Sequence, residues 1–133
     1  MDIYIDGASK GNPGPSGVGV VVCKDGDTIK NMSSYIGNAT NNVAEYSALI
    51  YALQGALALK AENIKIYTDS QLLYRQLKKI YKVKNPNILN LYNQALHLMT
   101  AFKEVCFNHI AREHNRGADK LANLAIKEAI KRK

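Results

Sequence analysis

The sequence predicts an α/β domain on a mixed five-stranded sheet, three antiparallel strands followed by parallel ones, flanked by helices. Three observations carry this expectation. Up to Ile36 the apolar residues alternate or run together in β-branched stretches, and from Asn42 they switch to three- and four-residue spacing. After the switch, short apolar strands alternate with helical segments, the pattern of right-handed crossovers between parallel strands.

Asp2–Ala8 alternates, with Ile3 and Ile5 on one face and Tyr4 and Asp6 on the other. Val18–Lys24 is a continuous β-branched run, and Thr28–Ile36 is compatible with a third strand. Between the first two lies Ser9–Gly17, dense in Gly, Pro, Asn and Ser, and Asp25-Gly26 supplies the next turn, so these strands form an antiparallel meander. Val43, Tyr46, Leu49, Ile50, Leu53 and Leu57 set a helix from about Asn42 to Lys60. Ile64–Thr68 is a short apolar strand. Leu73, Leu77, Ile80 and Tyr81 mark a second helix, broken by Asn85-Pro86, and Ile88–Phe102 forms a third. Val105–Ala111 is the last strand and Leu121–Ile130 the final helix, started near Gly117.

A chain of 133 residues suits one domain and one core. No stretch reaches the ~18 apolar residues of a membrane span, and the start lacks the charged-then-apolar layout of a signal peptide, so a cytoplasmic monomer is expected. Cys23 and Cys106 lie in apolar runs and read as buried thiols rather than a disulfide. The net charge of +7 is uneven: residues 1–66 hold five Lys/Arg against six Asp/Glu, residues 67–133 thirteen against five. That asymmetry favours a polyanionic partner, since basic side chains on phosphates release condensed counterions.

Four carboxylates stand where strands end or helices begin: Asp6, Glu45, Asp69 and Asp119. Each has an ordinary explanation. Asp6-Gly7 suits a turn, Glu45 follows Asn42 by three residues as in a capping box, Asp69 stands where an N-cap is expected, and Asp119 lies in a first helical turn. Together they point elsewhere. Glu45 shares the spacing of Leu49 and Leu53 and so faces the packed side of its helix. Asp6 and Asp69 end two parallel strands, where sites form in open α/β sheets. Four clustered acids call for a hard divalent cation, and Mg²⁺ suits oxygen ligands at phosphate chemistry. Two such ions can activate a water and stabilise a leaving oxygen.

Four segments carry a resemblance: Asp6-Gly7-Ala8-Ser9-Lys10-Gly11-Asn12-Pro13-Gly14, Thr40-Asn41-Asn42-Val43-Ala44-Glu45-Tyr46, Thr68-Asp69-Ser70-Gln71 and Asn115-Arg116-Gly117-Ala118-Asp119-Lys120-Leu121-Ala122. In order and separation the chain resembles type 1 ribonuclease H, in the compact archaeal and Gram-positive flavour that is similar to ribonuclease H domains of reverse transcriptases. The resemblance implies a ribonuclease H-like fold and endonucleolytic cleavage of the RNA of RNA–DNA hybrids, leaving a 3′-hydroxyl and a 5′-phosphate. It implies two Mg²⁺ ions, with Mn²⁺ as the alternative. Asp6 bridges them, Glu45 and Asp69 bind one, and Asp119 holds the other. Glu45 also touches an RNA 2′-hydroxyl. The same resemblance sets Gly11 and Asn12 along the RNA minor groove, Asn41 and Gln71 at base edges or the DNA strand, and Thr40 at a DNA phosphate.

The chain departs from that family's pattern in places. His114 stands near the position of a mobile catalytic histidine, with only four residues between it and Asp119, which shortens its reach; Arg112 is the other electrostatic candidate there. Lys78, Lys79, Lys82 and Lys84 form a reduced version of the family's basic substrate-binding protrusion, without its tryptophan, and Asn38 replaces an arginine found in some relatives. Two rivals stand beside the hybrid nuclease: one with wider substrates such as double-stranded RNA, and a nucleic-acid-binding module without turnover.

Overall fold

In the computed structural model, which describes residues 1–132, the chain runs β1 (Asp2–Ser9), β2 (Gly14–Lys24), β3 (Asp27–Ala39), α1 (Asn41–Ala58), β4 (Asn63–Thr68), α2 (Gln71–Leu77), α3 (Pro86–Met99), β5 (Glu104–His109) and α4 (Arg116–Lys131). A single 3₁₀ turn, Arg112–His114, precedes α4. The sheet has the order β3-β2-β1-β4-β5, antiparallel among the first three strands and parallel across β1, β4 and β5. This is the mixed sheet that the change of period predicts, with β1 at its centre.

Alternation along β1 assigns its two faces. Ile3 and Ile5 are buried, and a Cβ on Gly7 would overlap the backbone of Ala44 and Glu45, so this face carries α1. Asp6 pairs with Gly19 of β2, where a Cβ would overlap the Ala118 carbonyl, so the other face carries α4. The core beneath α1 gathers Ile3, Ile5, Val18, Val20, Leu49, Leu53, Ile64 and Ile66, all at most 1% exposed. Such burial, at about 25 cal/mol per Å² of apolar surface, is the main force holding helix to sheet. The Tyr46 hydroxyl donates to Gln76 Oε1 at 2.7 Å and satisfies both buried polar groups across α1 and α2.

The second helix departs from expectation. It ends at Leu77 instead of running on through Ile80 and Tyr81, because the core ends there: Ile80 is 62% exposed and Tyr81 46%. Lys78 caps the helix and Lys79 takes a left-handed φ of 62°, which turns the chain away. Asn85-Pro86 starts a helix as well as ending a segment. Asn85 Oδ1 accepts from the Asn87 and Ile88 amides while Pro86 occupies the first turn, where no amide is needed. The third helix therefore runs Pro86–Met99 and not Ile88–Phe102.

Candidate active site

Asp6 lies within β1 rather than at its end, one residue past Ile5, where pairing with β4 stops at Thr68, and Asp69 directly follows β4. Parallel pairing thus brings the two carboxylates side by side. Glu45 arrives from α1 and Asp119 from α4, on opposite faces of the sheet. Glycine permits both approaches. Gly7 follows Asp6 in sequence and lies against α1; Gly19 is Asp6's antiparallel partner and lies against α4. With no Cβ at either position, both helices reach the strand that carries the central acid.

One oxygen each from Asp6, Glu45 and Asp69 fall within 4.8 Å of one another, and Asp119 approaches Asp6 as a further acidic neighbour. Asp6 therefore belongs to two groupings, one with Glu45 and Asp69 and one with Asp119. Asp6 and Glu45 are 6% and 7% exposed. Burial, reinforced by the Glu45 and Asp69 charges, pushes the Asp6 carboxyl up to about 10. Burial pushes Glu45 up to about 7, against the opposing pull of the Gly7 amide, which donates to Glu45 Oε1. Glu45 Oε2 is buried with no hydrogen-bond partner. Crowded acids with an orphaned buried oxygen fit a hard divalent cation, which would neutralise the first and ligate the second.

The structure removes the ordinary explanations for three of these residues. Thr40 caps α1, its hydroxyl accepting from the Val43 amide, so Glu45 is not a capping partner. Ser70 caps α2, so Asp69 is not its N-cap. Asp6 lies within β1, not in a turn. Asp119 does occupy the first turn of α4, where Asn123 Nδ2 donates to its Oδ1 at 3.2 Å.

Asn115 touches the acid cluster in a way that side-chain type alone did not single out. It is 1% exposed, and its Nδ2 donates to the Ile5 carbonyl at 2.8 Å and to Asp69 Oδ2 at 3.3 Å. One amide thereby ties the start of α4 to β1 and to the acid after β4. Its place four residues before Asp119 was the available signal.

A cavity of about 480 Å³ opens over the acids, lined by Asp6, Glu45, Asp69, Asp119, Asn41 and Arg112, among others. Arg112 Nη2 stands 4.0 Å from Asp119 Oδ1 and is largely exposed, a weak pair that leaves the guanidinium available. His114 is not brought to this cavity. It lines a separate hollow with Tyr4, Val21, Cys23 and Asn115, because the 3₁₀ turn sends Arg112 and His114 to different sides. Asn12 and Asn41 come together, Asn12 Oδ1 accepting from the Asn41 amide at 2.9 Å. The Ser9 and Ser16 hydroxyls both donate to the Ala39 carbonyl, pinning the β1–β2 loop beside Thr40. Gly11, with φ +81°, stays exposed in that loop. Gln71 opens α2 and is exposed, and Lys78, Lys79, Lys82 and Lys84 are exposed between α2 and α3, away from the acids' cavity.

Residues 4–125 match the family model described as reverse transcriptase-like. The chain is 42% identical to ribonuclease HI of Halobacterium salinarum over 127 residues, 95% of this chain and 64% of that one, so it spans less than two thirds of that relative's length. It is 36% identical to ribonuclease H of Chlorobaculum parvum, covering 96% of each chain. Among solved structures, LC11-RNase H1 in complex with an RNA/DNA hybrid superposes with a TM-score of 0.93 at 40% identity, covering 97% of this chain and 98% of that one.

Proposed function

Because the chain belongs to the ribonuclease H family, we propose that it is a metal-dependent endoribonuclease that cleaves the RNA strand of RNA–DNA hybrids, leaving a 3′-hydroxyl and a 5′-phosphate. The observation that carries this reading is the double grouping around Asp6. Asp6 would be shared by two divalent ions, with Glu45 and Asp69 completing one site and Asp119 the other. Bound there, such ions would supply an activated water and neutralise charge at the leaving oxygen. Mg²⁺ or Mn²⁺ suits the all-oxygen donor set. We place the enzyme in the cytoplasm as a single acting chain; its two cysteines are free, and no helix among the described residues is long and apolar enough to cross a membrane.

The remaining work falls to the chain's own groups. The Gly7 amide and Asn115 fix Glu45 and Asp69 before substrate arrives, so little reorganisation is left for the reaction. Asn12, Asn41 and Gln71 offer donors and acceptors to minor-groove edges, and exposed Gly11 admits the sugar-phosphate backbone closely. In this reading Thr40 takes a DNA phosphate, Glu45 reads the 2′-hydroxyl, and Lys78, Lys79, Lys82 and Lys84 hold phosphates further out. The hybrid held by the LC11 relative supports the choice of substrate.

The test compares labelled hybrid, RNA duplex and single-stranded RNA, with Mg²⁺, Mn²⁺ or chelator, beside Asp69→Asn. Cleavage of the hybrid is expected with either metal, and none with chelator or in the variant. Undiminished cleavage by Asp69→Asn would sink the metal assignment, and efficient cleavage of the RNA duplex would widen the substrate.

The cavity also separates two helpers. Arg112 lines it but is largely exposed, so Arg112→Ala is expected to slow cleavage by about tenfold to a hundredfold, below the roughly hundredfold to thousandfold of a buried transition-state donor. His114→Ala is expected to cost less than about threefold, below the ordinary contribution of a general acid or base. Single-turnover rates check both, and the reverse order would return proton transfer to His114.

A further inference from the structure

We propose that the outward stripe of α4 is a second phosphate track, holding the substrate strand as it leaves the active-site cavity. This rests on the hybrid-cleaving reading and extends it to surface that reading does not use. Lys120, Leu124, Lys127, Ile130 and Lys131 recur at three- and four-residue spacing and, with Lys10 of the β1–β2 loop, line a hollow of about 830 Å³. The opposite face of the helix is fixed: Ala118, Ala122, Ala125 and Ile126 are buried, and Gly17 and Gly19 of β2 lie against it. The stripe is therefore a rigid rail. From Lys120 to Lys131 it extends about 16 Å, the axial advance of about five base pairs.

Charge and continuity identify the occupant. All four lysines are exposed. Among the described residues the ion pairs are Lys103–Glu62 and Arg112–Asp119, and neither uses a lysine of the stripe. The hollow's acid is Asp119, which belongs to the carboxylate cluster; Glu128 lines a different hollow with Ser33, Tyr35 and Arg132. An acidic protein would match the lysines too, but continuity favours nucleic acid. Asp119 and Asn123 line both this hollow and the carboxylate cavity, so a strand with its scissile phosphate over the acids passes directly onto the lysines. Leu124 and Ile130, 40% and 50% exposed, stand between the charges where sugar faces would cover them.

The test is Lys127→Gln/Lys131→Gln, far along the stripe from the acids, with Lys24→Gln/Lys65→Gln as a control of equal charge loss at the opposite end of the sheet. Hybrid binding is read by fluorescence anisotropy with chelator present, so it stands apart from turnover. Kd is expected to rise roughly fivefold to thirtyfold in the first pair, and the slope of log Kd against log salt to fall by about 2, near 0.9 per lost phosphate contact. The control pair should change both much less, and Lys127→Arg/Lys131→Arg should restore binding. Equal losses in both Gln pairs, or an unchanged Kd and slope, would overturn the track. Failure of the wild-type protein to cleave hybrid would count against the hybrid-nuclease reading alone.

Discussion

Asp6→Asn is expected to reduce hybrid cleavage by at least about a thousandfold and, in the same protein, to raise the stability of the metal-free fold at pH 8. The first effect follows from position: Asp6 is the one carboxylate in both groupings, so its loss damages both proposed ion sites at once. The second follows from repulsion. Burial and the neighbouring charges raise Asp6 from its ordinary 3.8 to about 10, and burial raises Glu45 from 4.5 to about 7. The folded protein then holds protons that the unfolded chain has already released. Stability of the metal-free protein must fall as pH rises from near 4, through about 7 for Glu45 and up to about 10 for Asp6. An amide at position 6 removes the first contribution. Thermal melts with chelator should show the wild type losing Tm between pH 5 and 9 and the variant losing less, with a gain at pH 8 of roughly 3–10 °C. Mg²⁺ should raise the wild-type Tm more at pH 8 than at pH 5, because the ions compete with protons for the same oxygens. A variant that loses activity and also melts lower at pH 8 would mean that Asp6 holds the fold together rather than straining it.

Much of this was legible because it is periodic or punctuated. The switch from alternation to helical spacing after Thr40 set the order of elements, and acids expected at element boundaries pointed to the candidate site. What stayed hidden depends on where the core stops or where two backbones meet. Ile80 and Tyr81 continue a helical spacing, but both are left exposed: the helix ends at Leu77 and the chain turns away at Lys79. His114 is nearer Asp119 in sequence than Arg112, yet the turn between β5 and α4 sets Arg112, not His114, in the acids' cavity. Asn115 reads as a helix-start residue until its amide is seen to join the Ile5 carbonyl to Asp69. Gly7 reads as half of a turn dipeptide, while in the fold it lies within β1.

Gly7→Ala puts that last point to the test. A methyl group there would overlap the Ala44 carbonyl and the Glu45 amide, backbone atoms in the first turns of an 18-residue helix that cannot swing aside as a side chain can. Relief requires α1 to lift from β1, which opens the Ile3–Ile5–Leu49 contact and draws Glu45 from Asp6. A loss of about 2–4 kcal/mol is expected, at or above the upper end for overpacking because the obstacle is backbone. Protein that remains folded at low temperature should turn over roughly tenfold to a hundredfold more slowly, since a displacement near 1 Å at a reacting group costs on that order. Gly117→Ala is the matched comparison. Its nearest neighbour is the tip of Val21 at 3.4 Å, an ordinary contact, and its φ is not left-handed. There the change should stay within about 1 kcal/mol of wild type, with helix propensity favouring alanine. Urea melts of the two variants, with kcat measured well below their midpoints, separate the cases. Equal stability would mean that α1 is not held against β1 as closely as the overlap requires. A stable Gly7→Ala with full activity would remove the close approach as the reason Glu45 reaches the site.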